Sequence, residues 1–356
     1  MKDRVPLYPG RVKLTPVSGH ANTYDMVRAD DPAQEGTPLN KSTFLKDTTA
    51  ALYGLGANAV PDDVFLTLSG CLAQILVTTL PNTEVTASLN GKTVSATSDS
   101  SGLAVFKILS YGTWTVSASI HGSVVSKNCE IKAIAQYKVF LLSDLNSTSW
   151  DVISSVSDSG DAAYAWSVGD KKTININGTD YQFQIIGFNH DTKTAGGTAG
   201  ITFQMVNCLA TKNYMEASNT NANGWEGCFM RKTMLNSTIY GQLNSDLKAV
   251  IKAVNKVSSV GNNSSGLETT SDKLFLLSEI EIFGSTTYSF AGEGKQYEYY
   301  AAGNSAIKTV NGSYAVWWMR SPYSGNTSNF CCVDPNGSSQ HAVASSYHSV
   351  SFGFCV

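Results

Sequence analysis

Two pairs of ionisable residues in the second half of the chain are the first candidates for chemistry. Glu279 and Glu281 would share one face of a strand, and paired carboxylates are what glycoside hydrolysis requires. They stand, however, in residues 278–283, which we interpret as a structural strand end. His190-Asp191 falls in a predicted loop without a nucleophile partner. A cell-wall glycan hydrolase is therefore a minor alternative, and we predict no catalytic residue.

The tripeptide Asp334-Pro335-Asn336 is the remaining candidate for a metal site. It has the carboxylate and carbonyl groups found in calcium-dependent sugar-binding loops. Calcium takes about six to eight oxygen ligands, and the sequence offers neither a carboxylate cluster nor a companion Trp-Asn-Asp element. We therefore interpret the tripeptide as a turn and expect no metal and no cofactor.

Residues 323–348 have instead the composition of a recognition surface. Asp334 is the only formally charged residue among them, and Tyr, Ser, Asn and Gly are abundant. A merely solvated loop would normally use Lys and Glu. Antibody paratopes use Tyr, Ser, Asn and Gly because these residues give contact area and adaptable hydrogen bonds at low entropic cost. An ordinary Ser-rich loop remains the alternative.

Apolar residues bracket this segment on both sides. Trp317, Trp318 and Arg320 precede it, and residues 352–356 follow it. Large aromatic side chains anchor cores, and an arginine can bind several loop carbonyl groups. We predict that these three residues are scaffold.

Composition limits the possible partners and compartments. A chain of 356 residues is expected to form two to three domains, and a net charge of -3 gives no basic footprint for nucleic acid. Charged residues make up 15% of the chain, against about 25% in average proteins, which is typical of β-rich extracellular or virion proteins.

No apolar run approaches the ~18 residues of a membrane helix, and the N-terminus lacks the apolar region of a signal peptide. The seven cysteines show no metal-binding spacing, so we expect buried thiols from a reducing cytosol.

Residues 1–70 are predicted to form an extended arm with short helices. Prolines and glycines disfavour regular structure in the first 38 residues. A helix is predicted to begin at Asn40 and to continue through Phe44 and Leu52, because Asn is a favourable N-cap. A second helix is predicted from Pro61, with Val64, Phe65 and Leu68 on its buried side.

Residues 71–135 are predicted to form an all-β sandwich. Short alternating strands are separated by regular turns, and Asn90-Gly91 is a strong two-residue hairpin signal. The spacing predicts an immunoglobulin-like or transthyretin-like module that acts as a spacer.

Residues 136–356 are predicted to form an α+β domain, because strands precede and follow two central helices. We expect a strand over 137–142, a hairpin that turns at Asn177-Gly178, and a buried strand over 273–277. The helices are predicted over 227–235 and 245–256, from apolar residues at helical spacing.

The N-terminal arm carries a resemblance. Tyr8-Pro9-Gly10-Arg11-Val12, the sequence of residues 22–26 and the sequence of residues 35–40 follow one another in an order that resembles the N-terminal segment of prophage tail proteins from gut Firmicutes. The resemblance implies attachment to other tail or baseplate proteins through residues 1–70. An arm that serves only self-association is the alternative.

A second resemblance covers residues 137–356. Residues 273–284 and Trp317-Trp318-Met319-Arg320-Ser321-Pro322 resemble an uncharacterised domain of gut bacterial and prophage proteins, which has a Trp-Trp-Leu-Arg-Ser-Pro signature. That domain is similar to the C-type-lectin-like fold of formylglycine-generating enzymes and of the variable proteins of diversity-generating retroelements. The resemblance implies a C-type-lectin-like ligand-binding domain with a variable segment at about 323–350.

In variable proteins, adenines of a template are randomised, often in Asn codons. Such codons can yield Tyr, Ser, His, Asp, Cys, Phe, Thr, Gly, Ala or Val, among others, but never Lys, Glu, Gln, Trp or Met. Residues 323–348 fit this alphabet except at Gln340. The positions that the resemblance marks as ligand-facing are Tyr323, Asn326, Asn329, Cys332, Asp334, Ser338, Ser339, His341, Ser345, Tyr347 and His348.

The relationship to formylglycine-generating enzymes raises copper oxidase chemistry as a further alternative. That chemistry needs a reactive cysteine pair, but the adjacent Cys331 and Cys332 would point to opposite faces of a strand, and Cys355 is distant in sequence.

The sequence and its resemblances therefore predict a receptor-binding protein of a phage tail, located in the virion. It is expected to be a homotrimer that binds a bacterial surface protein or glycan, without nucleic acid or membrane insertion. A structural baseplate protein that binds no ligand is the principal alternative.

Overall fold

The computed structural model of the protein describes residues 5–29, 31–34, 45–52, 55–56, 59–70, 72–108, 110–120, 123–142 and 144–356. The chain divides into two compact units. The first comprises Met1–Gln74, Lys107–Tyr111 and Ile131–Gln136, and the second comprises Ile75–Phe106, Gly112–Glu130 and Tyr137–Val356.

The first unit contains two short antiparallel strand pairs. β1 (Val5–Pro6) pairs with β4 (Pro32–Gln34), and β2 (Val12–Pro16) pairs with β3 (Tyr24–Arg28). These strands correct the prediction that the Pro-rich stretch lacks regular structure. Prolines stand at strand ends, where a missing N–H group is tolerated. Every residue of β2 and β3 is exposed.

Two helices follow, Asp47–Leu52 and Pro61–Gly70. The first is shorter than predicted, because Leu45 precedes it outside the helix. The predicted start at Asn40 and the motif at 35–40 lie outside the described residues. Of the predicted buried side of the second helix, Val64 packs on a small cluster that includes Ala50, whereas Phe65 and Leu68 are exposed.

Two sheets with short strands follow the arm. Their strand orders are β10-β9-β6-β7 and β11-β5-β8, and buried residues alternate along β5, β6 and β9. The predicted hairpin is confirmed, because Leu89 pairs with Lys92 and both Asn90 and Gly91 have positive φ. β11, which we predicted within residues 136–356, pairs into the second of these sheets. The strands are β5 (Ala73–Thr78), β6 (Glu84–Leu89), β7 (Lys92–Thr97), β8 (Leu103–Ile108), β9 (Gly112–Ile120), β10 (Ser123–Ile131) and β11 (Gln136–Phe140).

The remainder of the chain has a five-stranded sheet of order β12-β13-β14-β23-β17 and a three-stranded sheet of order β20-β21-β22. β15 pairs with β16, and β18 pairs with β19. The strands are β12 (Lys171–Ile176), β13 (Thr179–Phe188), β14 (Ile201–Met205), β15 (Val254–Ser259), β16 (Leu267–Asp272), β17 (Leu274–Phe275), β18 (Thr309–Val310), β19 (Ser313–Tyr314), β20 (Trp317–Pro322), β21 (Asn329–Val333), β22 (Ser339–Val343) and β23 (Gly353–Cys355).

Short helices connect these strands. They are Trp150–Asp158, Ala162–Ala165, Gly224–Gly227, Tyr240–Gln242, Ser245–Val250, Glu279–Phe283 and Glu298–Ala301, together with a π-helical segment, Met230–Ile239. The mixture of helices and sheets agrees with the α+β prediction for this region, and the chain as a whole is β-rich.

Three local predictions differ from the structure. The helix predicted over 227–235 begins later and is π-helical. The helix predicted over 245–256 ends at Val250, because Val254 enters β15 and pairs with Asp272. Residues 278–283 form a helix rather than a strand end: Ser278 is its N-cap and forms a reciprocal capping box with Glu281.

The core of this region is aromatic and encloses the end of the chain. Phe354 in β23 stacks on Phe203 in β14, with ring centroids 5.2 Å apart. Phe183 and Trp150 pack against the same ring. Residues 352–356 are all buried, and Trp317, Trp318 and Met319 belong to the same core, so both sides of the segment 323–348 are joined to it.

Candidate ligand-binding site

The predicted recognition segment contributes β21 and β22 to the sheet of order β20-β21-β22. Cys331 pairs with His341, and Val333 pairs with Ser339. Because side chains alternate along a strand, Ser339 and His341 share one face of β22.

Three aromatic side chains from separate parts of the chain meet on this face. Tyr323 and His341 stack with ring centroids 3.9 Å apart and planes inclined by 6°. Tyr288 packs edge-on against both, at 5.8 Å from Tyr323 and 5.0 Å from His341. All three are half-buried. We call Tyr288, Tyr323 and His341 the aromatic site.

The buried carboxylate of Glu279 positions Tyr288. It accepts hydrogen bonds from the backbone N–H of Tyr288 at 3.0 Å and from both the N–H and the hydroxyl of Ser289 at 2.7 Å. The Ser339 hydroxyl donates to the other carboxylate oxygen of Glu279. Ser324 donates from its N–H and its hydroxyl to the Tyr288 carbonyl, each at 2.8 Å. The Tyr288 backbone is therefore fixed on both sides.

Asparagine side chains hold the loop between β20 and β21. Asn221 is buried and donates to the carbonyls of Asn326 and Asn329 at 3.0 and 2.8 Å. Asn326 accepts from the N–H groups of Ser328 and Asn329. The Asn329 amide lies 2.8 Å from Nδ1 of His341. Of the predicted ligand-facing residues, Asn326 and Asn329 thus use their polar groups to shape the loop.

The side chain of Asp334 stabilises a turn. Its side chain accepts from the N–H groups of Asn336 at 2.9 Å and Ser338 at 2.8 Å, which agrees with our interpretation of 334–336 as a turn. Ser338 is exposed at the end of this turn.

The last predicted positions form a separate patch. Tyr347 is 62% exposed and packs edge-on against Tyr214, with centroids 5.4 Å apart. Ser345 donates to the side chain of Asn219. The ring of His348 packs on Trp318 at 4.7 Å, and burial followed by the charge of Lys212 lowers the pKa of His348.

Two predicted ligand-facing residues are buried, which corrects those assignments. Cys332 is 1% exposed and Asn329 is 8% exposed. Both lie on the central strand β21, whose two faces are covered. The residue types found in one sequence do not distinguish positions that point inward from positions that are exposed.

The cysteines considered for copper chemistry are protonated and enclosed. Burial raises the pKa of Cys332 to about 12 and raises the pKa values of Cys331 and Cys355 well above their usual range. The thiolate is the form that binds metals and attacks electrophiles. Across the described part of the chain, no three His, Cys, Asp or Glu side chains cluster in a way that would hold a metal ion.

The residues predicted as scaffold are buried. Trp317 and Trp318 donate their indole N–H groups to the carbonyls of Ala306 and Asn213. Arg320 is fully buried and contacts both carboxylate oxygens of Glu281. Its guanidinium also donates to the carbonyls of Val257, Leu276 and Glu293.

Arg320 belongs to a buried ionic network that the sequence did not reveal. Lys256 Nζ lies 2.7 Å from both Asp191 Oδ1 and Glu281 Oε1. Burial opposes ionisation of Asp191, but Lys256 and His190 together hold the pKa of Asp191 well below its usual range. Burial raises the pKa of Glu293 to about 7 despite the donor groups around it.

Glu279 and Glu281 are therefore not an exposed catalytic pair. Both are buried and lie at the start of one helix, and their oxygens are engaged by the donors described above. The Ser-x-x-Glu spacing of 278–281 is a capping-box signal that identifies this helix from sequence. Tyr288 and Asn221 have no comparable local signal. Within the described ranges, no helix combines the length and apolarity that a membrane crossing requires.

Comparison with known proteins gives one family match. Residues 198–351 match the family DUF6273, described as a domain of unknown function. No curated protein matches the chain.

Two solved structures show low similarity. A fimbrial protein from Bacteroides ovatus is 8% identical, with a TM-score of 0.22, over 80% of this chain and 71% of that chain. The pilus adhesin RrgA from Streptococcus pneumoniae is 10% identical, with a TM-score of 0.14, over 56% of this chain and 33% of that chain. TM-scores this low carry no argument about the fold or function of this chain.

Proposed function

We propose that the chain is a receptor-binding protein of a phage tail that binds a protein or glycan on a bacterial surface through the aromatic site. The observation that carries the proposal is the meeting of Tyr288, Tyr323 and His341 on a surface of very low charge. Aromatic side chains that are held rigidly dominate the binding energy of recognition surfaces.

The positions of these rings are set before a ligand arrives. Glu279 and Ser324 fix the backbone of Tyr288, and Asn221 fixes the loop that follows Tyr323. A site whose side chains are already ordered loses less conformational entropy on binding. Polar groups at the edge of the site, such as the Ser339 hydroxyl, would then orient the ligand, and the aromatic rings would provide most of the affinity.

The proposal includes finer assignments. Strand spacing predicts the immunoglobulin-like spacer over 71–135, and the resemblance implies a C-type-lectin-like domain over 136–356 with a segment diversified at about 323–350. Sequencing the last part of the gene across a phage population tests the diversification. Adenine-linked substitutions should concentrate in codons for exposed or half-buried positions such as Ser338 and Tyr347. Uniform drift across the gene would contradict it.

The arm is proposed to attach the protein to the tail and to join three copies. Its hairpin β2–β3 exposes large apolar side chains, including Leu14, Tyr24 and Met26. An isolated two-stranded hairpin is only marginally stable in water. A homotrimer would cover this surface and would add avidity to weak single sites.

Binding to cells tests the receptor-binding function. Fluorescently labelled full-length protein is added to intact gut Firmicutes cells and to their isolated cell walls, and binding is measured by flow cytometry and by sedimentation. We expect the variant Y323A/H341A to bind at least about tenfold more weakly, because truncating aromatic anchors costs on the order of 2 kcal/mol.

Tyr314→Ala is the matched control, since Tyr314 is 70% exposed but lies outside the aromatic site. Equal binding by the control and by the double variant would contradict the proposal. Binding of the wild type to no cell type in a broad host panel would favour the structural baseplate protein.

A further inference from the structure

A buried group of three reactive side chains lies apart from the aromatic site. Lys256 Nζ is 2.7 Å from Asp191 Oδ1 and 2.7 Å from Glu281 Oε1. Lys256 comes from β15, Asp191 from the loop after β13, and Glu281 from the helix Glu279–Phe283. All three are almost completely buried.

The surroundings of the amine are apolar on one side. On that side Nζ lies 4.2 Å from the centroid of the Phe275 ring, and elsewhere it donates to the Tyr297 hydroxyl at 2.9 Å. Holding an amine against a carboxyl group in a site closed to water replaces a bimolecular condensation by an intramolecular one, with a large gain in effective concentration.

We propose that Lys256 and Asp191 condense to an intramolecular amide bond, with Glu281 as the proton carrier. Glu281 transfers a proton from the Lys256 ammonium group to Oδ1 of Asp191. The resulting neutral amine attacks Cγ of the resulting carboxylic acid, and the new C–N bond forms.

A second proton follows the same route from the nitrogen to Oδ1. The bond from Cγ to Oδ1 breaks, and one water molecule leaves. The charges of the ammonium and carboxylate groups cancel, Glu281 is regenerated, and the step needs no oxidant, reductant or cofactor.

The second oxygen of Asp191 is held as this reaction requires. Oδ2 accepts from the Thr202 hydroxyl at 2.6 Å and from the Tyr297 hydroxyl at 2.8 Å. Two fixed donors at this oxygen would stabilise the negative charge that develops on it in the tetrahedral intermediate. Oδ1, which must leave, faces Lys256 instead.

Arg320 has two effects on the proton carrier. Its guanidinium contacts both oxygens of Glu281 and so fixes the carboxylate in place. A neighbouring cation also weakens a carboxylate as a base. We therefore expect the bond to form slowly after folding. The product would tie together two positions that are 65 residues apart in the chain.

Intact-mass spectrometry of the purified full-length protein tests the proposal. After folding and prolonged incubation, the wild type should be lighter than Lys256→Arg, corrected for the substitution, by the mass of one water molecule. Proteolysis followed by tandem mass spectrometry should give one branched peptide pair joined through residues 191 and 256. Asp191→Asn should form the same amide but lose ammonia in place of water.

The mass of the wild-type protein alone tests the proposal, so the test does not depend on whether the variants fold. A wild-type mass equal to that of the sequence, with residues 191 and 256 recovered in separate peptides after incubation, would overturn the proposal. A loss of water located at any other pair of residues would overturn it as well.

Discussion

Tyr323 and His341 stack with nearly parallel rings although one follows β20 and the other lies in β22. Cys331 lies opposite His341 in the intervening strand, so the stack spans the sheet above a small side chain. The pair joins the two outer strands through their side chains and orders the surface that we propose as the binding site.

Stability measurements should detect this stack without any ligand. Aromatic pairs contribute about 0.5–1.5 kcal/mol beyond their buried area. A double-mutant cycle of Tyr323→Ala and His341→Ala, measured by urea unfolding, should therefore give a coupling free energy in that range. The same cycle with Tyr323→Ala and Tyr347→Ala is the control, because Tyr347 packs on Tyr214 instead. Additive effects of Tyr323→Ala and His341→Ala would show that the stack does not stabilise the fold.

Arg320 should be among the most sensitive positions in the chain. Removing one partner of a buried ion pair typically costs about 3–5 kcal/mol, because the other charge stays buried without compensation. We expect this loss for Arg320→Met in urea unfolding, and a smaller one for Arg320→Lys, which keeps the charge but not the two-pronged contact with Glu281. Wild-type stability of Arg320→Lys would contradict the role assigned to the guanidinium.

Local signals in the sequence identified some of this structure and missed the rest for a physical reason. Asn177-Gly178 marks a real hairpin turn, in which both residues have positive φ, and Trp317 and Arg320 proved to be buried. These features depend on neighbouring residues or on residue type. The contact between Asp191 and Lys256 depends on how distant segments pack, and no periodicity encodes it.

The dependence of structure on the packing of distant segments also explains the predictions that were wrong. Leu247, Val250 and Val254 fall at helical spacing, but Val254 pairs with Asp272 in a strand, so tertiary pairing overrides the local pattern. The residue alphabet of 323–348 included Tyr323 and His341, whose rings stack in the structure. It could not show that Cys332 points inward, because burial depends on what covers each face of β21.

The raised pKa of Glu293 predicts a dependence of stability on pH. The pKa rises from 4.5 to about 7 in the fold, so the folded state retains a proton that the unfolded state releases. This contribution is complete below pH 4.5 and is lost as the pH rises through about 7. The free energy of unfolding should therefore fall across this window, by on the order of 3 kcal/mol from this group.

Glu293→Gln provides the matched comparison. An amide imitates the protonated acid, and its oxygen can still accept the hydrogen bond from Ser259 N–H. Relative to wild type, the variant should gain stability between pH 5 and pH 8 in unfolding experiments at ~0.5-unit steps. Parallel stability curves for the two proteins would refute the assignment of this proton to Glu293.

Thiol labelling should distinguish buried from reactive cysteines. Because burial keeps Cys331, Cys332 and Cys355 protonated, iodoacetamide at neutral pH should leave them unmodified in the folded protein. Unfolding in guanidinium before labelling is the control and should expose all three. Peptide mapping gives the sites, and rapid native labelling of Cys331 or Cys332 would revive the copper alternative.

The exposed hairpin of the arm should control the oligomeric state. Met26 is 70% exposed on β3 and Leu14 is 56% exposed on β2, opposite it. If three copies bury these side chains, Met26→Glu places a charge in the interface and should convert the trimer to monomers, as measured by light scattering after size exclusion. Lys13→Glu is the control: it lies on the same hairpin and also introduces a carboxylate, but replaces a side chain that is already polar. A monomeric wild type, or a trimer that persists in Met26→Glu, would rule out assembly through this hairpin.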